Sequence, residues 1–588
     1  GARTFAYDAL GRLAAETNDA LAVIMRVYDE EGRDAGYDLE IPNYAATIFS
    51  VRHGYDGHGR LDHVVSALDG VTNTFRYSFL PETPLVAGMT NGTGFGWSRG
   101  YEAERNLIAA VSNRWNNILV SGFDYANDAL GRRTLRVDTA QGLPVTNVFA
   151  YNPRSEVMDA AMGASTYSYS YDDIGNREWV TADASLSTYL ANGLNQYTAV
   201  TNAGIGVDVA YDLDGNMITN GVWVYVWDAE NRLVSASNTV SGIAIANAYD
   251  HLNRRVRKMV GPVTRHYVWD GWNIAAEIAV DAAAGTTNVH FYTWGLDLSG
   301  TPQGAGGAGG LLADTACNNQ PATCDTYFPC YDANGNVTEY VDGTGTVRGR
   351  YGYSPFGGIT AQSGDLADAF THRFSTKPFD AETGLVMYQL RPYSPPLGRW
   401  LNRDPIGTGG GFNEYVFVGN DPVFRIDPFG LEVFTSITMK RKHVKWLALL
   451  KENLGKKASN EDTYGHWWME FGSESYGWWP KNTLGLIDTL RGVPGELNGQ
   501  TTFGGTATTD PHHGDSADEF FHPQRHISGK LEAGEVVGGT TCKCASEEQI
   551  KQCLRAFAVV YKGNWSYPWG QNCLSFQKSA MGACCLKK

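Results

Sequence analysis

The sequence predicts a mainly β protein in two parts: a long repetitive sheet over residues 1–431 and a smaller α+β domain over residues 432–588. Three observations carry that expectation. A short unit, an aromatic residue followed by Asp, recurs along the first part. The 588 residues include 68 Gly and 12% aromatics but only 19% charged residues, a composition of turn-rich, aromatic-rich strands rather than of a coiled coil or a disordered chain. Past Leu431 the Tyr-Asp units stop and a different texture begins. No run approaches the ~20 apolar residues that a membrane-spanning helix needs. A formal net charge of −16 argues against a nucleic-acid-binding surface for the chain as a whole. The chain opens on Gly1-Ala2-Arg3-Thr4, without Met or a signal-peptide pattern, and so reads as part of something longer. Nothing in it calls for a cofactor.

The repeat comes first. It appears as Tyr7-Asp8-x-x-Gly11-Arg12, Tyr28-Asp29-x-x-Gly32-Arg33 and Tyr55-Asp56-x-x-Gly59-Arg60. It recurs as Tyr171-Asp172-x-x-Gly175-Asn176, Tyr211-Asp212-x-x-Gly215-Asn216 and Tyr331-Asp332-x-x-Gly335-Asn336, with weaker copies at Trp227-Asp228, Tyr249-Asp250 and Trp269-Asp270. Successive copies cluster about 20 residues apart, a spacing of repeat architectures. Alternating aromatics build strands, while Asp-x-x-Gly supplies an Asx-type turn and a position of positive φ. Each unit is then a hairpin that buries its face only by pairing with the next, which makes a continuous spiral sheet.

Residues 301–330 interrupt that texture. Thr301–Gly310 reads as a flexible Gly-rich loop, and Cys317, Cys324 and Cys330 follow as free thiols, with a local disulfide or a metal clip as the alternatives. Residues 1–330 are thus taken as the repetitive sheet and 331–431 as a terminal region. That region ends in Arg391–Leu431, rich in Pro, Gly, Asn and Asp, where turns rather than periodicity set the path. Two Asp-Pro pairs stand out in it, Asp404-Pro405 and Asp427-Pro428. Two carboxylates brought together cannot both ionise, so one can serve as an acid while the other activates water.

The last segments, Gly398-Arg-Trp-Leu-Asn-Arg-Asp-Pro-Ile-Gly407, Asn413–Val423 and Asp427-Pro428-Phe429-Gly430-Leu431, resemble the end of the core of Rhs/YD-repeat proteins, whose signature closes on a DPxGL box. The resemblance covers roughly residues 1–431. It implies a hollow β-shell that encloses a C-terminal toxin and cuts itself free of it. Asp404 and Asp427 would cut after Leu431; Arg403 and Arg399 lie close enough to them in sequence to orient a carboxylate. It further implies a secreted or delivered effector that acts in a target cell, with a cognate immunity protein, a delivery machinery and self-association of shell and toxin as its partners. A non-enzymatic surface or adhesion protein, as among animal YD-repeat proteins, is the opposing reading.

In residues 432–588, Lys440–Lys451 reads as a basic amphipathic helix and 461–480 as a strand and turn carrying His466, Trp468 and Glu470 on one face. Asn572 caps a last helix and places Cys573 in its first turn, where the helix dipole stabilises a thiolate. A strand His with a helix-opening Cys makes a nucleophilic pair. The order His466 then Cys573, in Gly465-His466-Trp467-Trp468 and Asn572-Cys573-Leu574-Ser575-Phe576, resembles permuted papain-like enzymes of the NlpC and LRAT type. Hydrolysis or transfer at an acyl or amide bond is what that resemblance implies, with Glu470, His512 or His513 as the third group. A competing constellation, Asp510, His512, His513, Asp515, Asp518, His522 and His526, is of a kind that binds metal in nucleases.

Overall fold

The computed structural model describes residues 3–18, 21–42, 48–140, 143–319 and 322–431. Beyond these it describes the strands Ser436–Lys442, His466–Phe471, Glu474–Pro480, Val493–Leu497, Gln524–Ser528, Val536–Val537, Thr540–Thr541 and Asn564–Trp565. The chain divides into two compact units, Gly1–Val433 and Phe434–Lys588.

The first unit is a long antiparallel meander. Nineteen strands, from Arg3–Tyr7 to Ile205–Asp208, form one sheet, and fourteen, from Ala210–Tyr211 to Ile359–Ser363, form a second. Each strand pairs with the next along the chain, as Arg3–Tyr7 does with Leu13–Asn18 and that strand with Ala22–Tyr28. Among the described residues the helical elements are three short 3-10 turns, Phe374–Thr376, Gly407–Gly410 and Val418–Asn420.

The repeat turn explains the meander. Asp8 Oδ1 accepts the backbone N–H groups of Leu10 and Arg12, both at 2.9 Å, and Arg12 Nε donates to Asp8 Oδ2 at 2.7 Å. Gly11 takes φ 78°, open to glycine at no steric cost. The Arg12 guanidinium then lies 4.1 Å from the ring centre of Tyr28, the aromatic of the next repeat, whose hydroxyl donates to Leu13 O at 2.9 Å. Arg33 covers Tyr55 at 4.4 Å and Arg60 covers Phe79 at 4.2 Å in the same way. Where the unit ends in Arg it is tied to the following one by a cation–π contact as well as by the ladder, and at Tyr28 and Tyr55 by a hydroxyl hydrogen bond too.

The two sheets bury apolar faces together. Phe49 stacks on Phe291 at 4.9 Å and Phe95 on Phe328 at 5.4 Å, each ring contributing about 1.5–3 kcal/mol relative to exposure. A second core gathers Phe149, Val157 and Tyr169 of the first sheet around Phe356, Phe374, Tyr393, Trp400 and Phe417 of the terminal region. Buried amides pin that region to the repeat turns. Asn420 Nδ2 donates to Gly175 O at 2.8 Å, Asn413 Nδ2 to Asn176 Oδ1 at 2.8 Å, and Tyr415 Oη to Gly215 O at 2.8 Å.

Two expectations about residues 301–330 need correction. Ala305 and Ala308 are buried and the intervening glycines are packed, with Ala305 N and Gly307 N donating to the buried Asp297 Oδ2 at 2.7 and 3.1 Å. The strands Leu311–Asn319 and Ala322–Tyr331 continue the meander, and Ala322–Tyr331 pairs onward with Val337–Val341. The expected free thiols are, for two of the three, a disulfide: Cys317 and Cys324 stand opposite each other in the hairpin register and are bonded, while Cys330 is free and buried.

In the second unit, six strands form a sheet in the order Gln524–Ser528, Ser436–Lys442, His466–Phe471, Glu474–Pro480, Val493–Leu497 and Asn564–Trp565. Lys440, Arg441 and Lys442, expected in a helix, are in a strand. Pairing on both edges, with Trp468 and Gln524 opposite Lys440, overrides their helical propensity.

Candidate functional site

The Asp427-Pro428-Phe429-Gly430-Leu431 box is an Asx turn set inside the core. Asp427 Oδ1 accepts the N–H groups of Phe429 at 3.1 Å, Gly430 at 2.7 Å and Leu431 at 3.1 Å. Gly430 takes φ 82°, and a Cβ on it would stand 3.3 Å from Arg391 N, so a side chain fits neither the turn nor the space. Leu390 N donates to Phe429 O at 3.1 Å, laying the 388–391 segment alongside the box.

Arg391 is the hub. Its Nη2 donates to Asp404 Oδ2 at 2.7 Å and to Leu431 O at 2.9 Å, and lies 3.7 Å from Asp427 Oδ2. Nε donates to Gly430 O, Nη1 to Glu414 O at 3.1 Å, and the guanidinium lies 4.3 Å from the centre of the Trp400 ring. Arg391, Asp404 and Asp427 are 2%, 8% and 2% exposed. One guanidinium thus faces two buried carboxylates and the carbonyl of Leu431, an arrangement that favours a proton on one of the carboxyls.

The electrostatics agree. Burial pushes Asp404 up to about 7, against the pull of Arg391 and the Ile406 N–H and with the Asp427 charge adding to the rise. Burial also raises Asp427, opposed by Arg391 and by the three N–H groups on its Oδ1. Gly410 completes the enclosure: a Cβ there would lie 2.6 Å from Asp404 Oδ2 and 3.2 Å from Leu431 O. Pro428 O is held from the other side of its peptide by Lys377 Nζ at 2.7 Å, and the left-handed Gly306 is so close to it that any Cβ would overlap. A raised carboxyl does not by itself mark the site. Burial also takes Asp421 up to about 7, yet it faces Arg425 at 3.6 Å.

The structure therefore brings Asp404 and Asp427 to one guanidinium, and it is not the one that sequence proximity singled out. Arg403 turns to Glu414, 3.7 Å away, and Arg399 donates to Asn195 O and lies 3.9 Å from the centre of the Tyr197 ring. Arg391, Gly410 and Lys377 were missed. Arg391 opens the same Pro-rich stretch and Gly410 sits in a run of three glycines, Gly409–Gly411, after Asp404-Pro405; both signals were present in the chain. Lys377 lies in a segment with no motif.

In the second unit, His466 pairs with Lys442, and Glu470 with Thr438 and Ser475. Thr438 also pairs with His526, so Glu470 and His526 occupy one cross-strand row. Cys573, Asn572, His512 and His513 lie outside the described residues.

Residues 136–265 match the teneurin YD-shell family. With its meander of Tyr-Asp turns, the first unit is a YD-repeat β-shell. Among curated proteins, the tRNA3(Ser)-specific nuclease WapA of Bacillus spizizenii is 29% identical over 388 residues, covering 63% of this chain and 15% of that protein. Double-stranded DNA deaminase toxin A of Burkholderia cenocepacia is 26% identical over 462 residues, covering 73% of this chain and 30% of that protein. A crystal structure of TcdB2-TccC3-TEV is similar with a TM-score of 0.47 at 15% identity, covering 73% of this chain and 27% of that one. The chain spans less than a third of the length of each of these three.

Proposed function

We propose that the first unit is the self-cleaving shell of an Rhs-type polymorphic toxin and that the bond it cuts is Leu431–Glu432. The observation that carries the reading is the single nitrogen, Arg391 Nη2, that reaches Leu431 O and Asp404 and faces Asp427. Asp427, bound by three N–H groups that favour its charge, is the base that takes a proton from water as the oxygen attacks the Leu431 carbonyl carbon. Arg391 stabilises the oxyanion. Asp404, raised to about 7, is the acid that gives its proton to the departing amine. The products are a Leu431 carboxylate and a free amine on Glu432. Purified chain should contain a fragment that begins at Glu432 by N-terminal sequencing. Prolonged incubation that leaves the folded wild-type chain intact would sink the idea.

The released part, residues 432–588, would be the effector, in line with relatives that are named as a nuclease and a deaminase toxin. Its chemistry is read from the sequence pattern: Cys573 as nucleophile, His466 as base, and Glu470 as the third group. The substrate would be an acyl or amide bond in a target cell, and a cognate immunity protein and a delivery machinery would be its partners. The name of the WapA relative favours a second reading, a nuclease tip using His512 and His513. Expression of the chain in a bacterium without an immunity partner separates them. The Cys–His reading expects Cys573→Ala and His466→Ala each to abolish toxicity. The nuclease reading expects Cys573→Ala to stay toxic and His512→Ala or His513→Ala to be harmless and to spare cellular RNA and DNA.

A further inference from the structure

A second buried cation lies against the box and has no part in the reaction just described. Lys377 is 1% exposed. Its Nζ donates to Gly306 O, to Pro428 O at 2.7 Å and to Gln389 Oε1 at 3.1 Å, and sits 5.2 Å from the centre of the Tyr388 ring. Every proton of an ammonium has an acceptor there. The charged and titratable groups that face it are Asp427, Asp297 and His372. Burial pushes Lys377 down to about 7, with Asp427 and Asp297 both opposing the fall. Burial holds His372 near 3, so it is neutral wherever the box would work.

The backbone that delivers Lys377 is strained. Ser375 and Thr376 take φ 51° and 54°, and a β-branched residue in that region costs about 1–3 kcal/mol. Thr376 is held there by donating to Gly335 O at 2.6 Å and accepting from Gly309 N at 2.8 Å. The strain places the ammonium on the carbonyl of Pro428, the other end of the same peptide group whose N–H, on Phe429, binds Asp427. Arg391 alone divides its charge between two carboxylates, at 2.7 and 3.7 Å. A second cation on the Asp427 side favours the charge there over the charge on Asp404.

We infer that Lys377 is a positioning residue for the cleavage: its ammonium clamps the Pro428 carbonyl against the Gly306 loop and keeps Asp427 ionised as the base, leaving Asp404 as the acid. The inference rests on the cleavage reading above. It follows from the reciprocity of Coulomb attraction: if Asp427 favours the charged Lys377, Lys377 favours the charged Asp427.

The test is the cleavage rate of the full chain between about pH 4 and pH 8, for wild type, Lys377→Met and Lys377→Gln, with Asp404→Asn as the uncut reference. Loss of the charge lets Asp427 hold its proton longer. The acid limb of the profile should then move up by roughly one pH unit or more in both variants, with the rate difference narrowing toward neutrality. Gln retains a donor for Pro428 O, so its peak rate should fall less than that of Met. In the Asp404→Asn background, circular dichroism checks that both variants stay folded, and Met, which leaves the carbonyls of Gly306 and Pro428 without their donor, should melt lower than Gln. A limb that stays in place, whether the rate is unchanged or uniformly reduced, overturns the role of Lys377 while leaving the cleavage reading intact. A wild-type chain that stays whole, or an Asp404→Asn chain that is cut, removes the cleavage reading and this inference with it.

Discussion

In the turn that begins at Asp8, Oδ1 accepts the N–H groups two and four residues on, and Oδ2 receives Arg12 Nε at 2.7 Å. In the turn that begins at Asp427, Oδ1 accepts the N–H groups two, three and four residues on, and Gly430 takes φ 82° where Gly11 takes 78°. Both are Asx turns with a left-handed glycine in the fourth place, but the backbone bonds of the repeat, Asp8 N to Arg12 O and Gly11 N to Asp8 O, are replaced in the box by Gly430 N to Asp427 Oδ1 and Arg391 Nη2 to Leu431 O. Two further things differ. The fifth residue is Leu431 instead of an Arg, so Asp427 Oδ2 has no local partner and faces Arg391 at 3.7 Å. And the turn is buried, where the repeat turn lies in solvent. The carboxyls move in opposite directions as a result. Hydrogen bonds from the backbone and side chain of Arg12 lower Asp8, whereas burial raises Asp427 and its neighbour Asp404. An Asx turn that only shapes a repeat thus becomes a carboxyl pair fit for proton transfer once its arginine is exchanged for a leucine and its solvent is removed.

The largest effect expected of this contrast is loss of the pair itself. Asp404→Asn and Asp427→Asn should each slow the appearance of the Glu432 fragment by ~10²-fold or more, since general acid–base catalysis contributes that much. Gel densitometry and N-terminal sequencing check it, and efficient cutting of either variant would break the comparison at its root. Next in size, Leu431→Arg restores the repeat pattern, offers Oδ2 a guanidinium and should weaken the base by roughly 10-fold or more, whereas Leu431→Met should still be cut. Gly410→Ala comes third. Its new Cβ would press on Asp404 Oδ2, at 2.6 Å, and on Leu431 O, at 3.2 Å, and a misplaced acid should cost several-fold in rate, checked in the same assay.

The pH dependence sharpens the contrast by its sign. The proton on Asp404 is fully held below its ordinary value of 3.8 and is lost as pH rises through about 7, so cleavage should fall on the alkaline side of neutrality and persist in mild acid. The carboxyls of Asp8, Asp29 and Asp56 are lowered, by bonds from the Arg four residues on. Their stabilisation is complete above about 3.8 and is lost below it, so thermal unfolding of the shell should ease only in stronger acid. Rate profiles and melting curves from about pH 3 to pH 9 would show the two limbs on opposite sides; coincident limbs would contradict the assignment. The smallest effect expected is that of Arg12→Ala, which removes one exposed clamp of this kind and should leave cleavage within about 2-fold of wild type.

The repeat was legible because it is local. Tyr7-Asp8-x-x-Gly11-Arg12 closes its turn within five residues, and its aromatic meets the arginine of the repeat before it, so one period of sequence contains the whole interaction. The box was legible through its resemblance to the DPxGL signature; its Asp-x-x-Gly spacing, which recurs at Asp462–Gly465, does not by itself single it out. Arg391 was overlooked in favour of Arg403 because nearness in sequence stood in for nearness in space: Asp404 meets Arg391, while its neighbour Arg403 turns to Glu414. Lys440–Lys442 was misread because propensity was weighed without the two neighbouring strands that pair with it.

Sequence by itself determined the mainly β class, the pairing of each hairpin with the next, the turn chemistry and the place where the repeats stop, all consequences of interactions that span at most one repeat. Tertiary structure alone decided that Asp404 and Asp427 share Arg391, that the Gly-rich segment is packed against Pro428, and that Cys317 is bonded to Cys324. It also decided which aspartates have a raised carboxyl, Asp404, Asp421 and Asp427 among them. An Asx-turn carboxyl is lowered in solvent, as at Asp8, and raised in the interior, as at Asp427, and burial is a property of the whole fold that no five-residue motif contains.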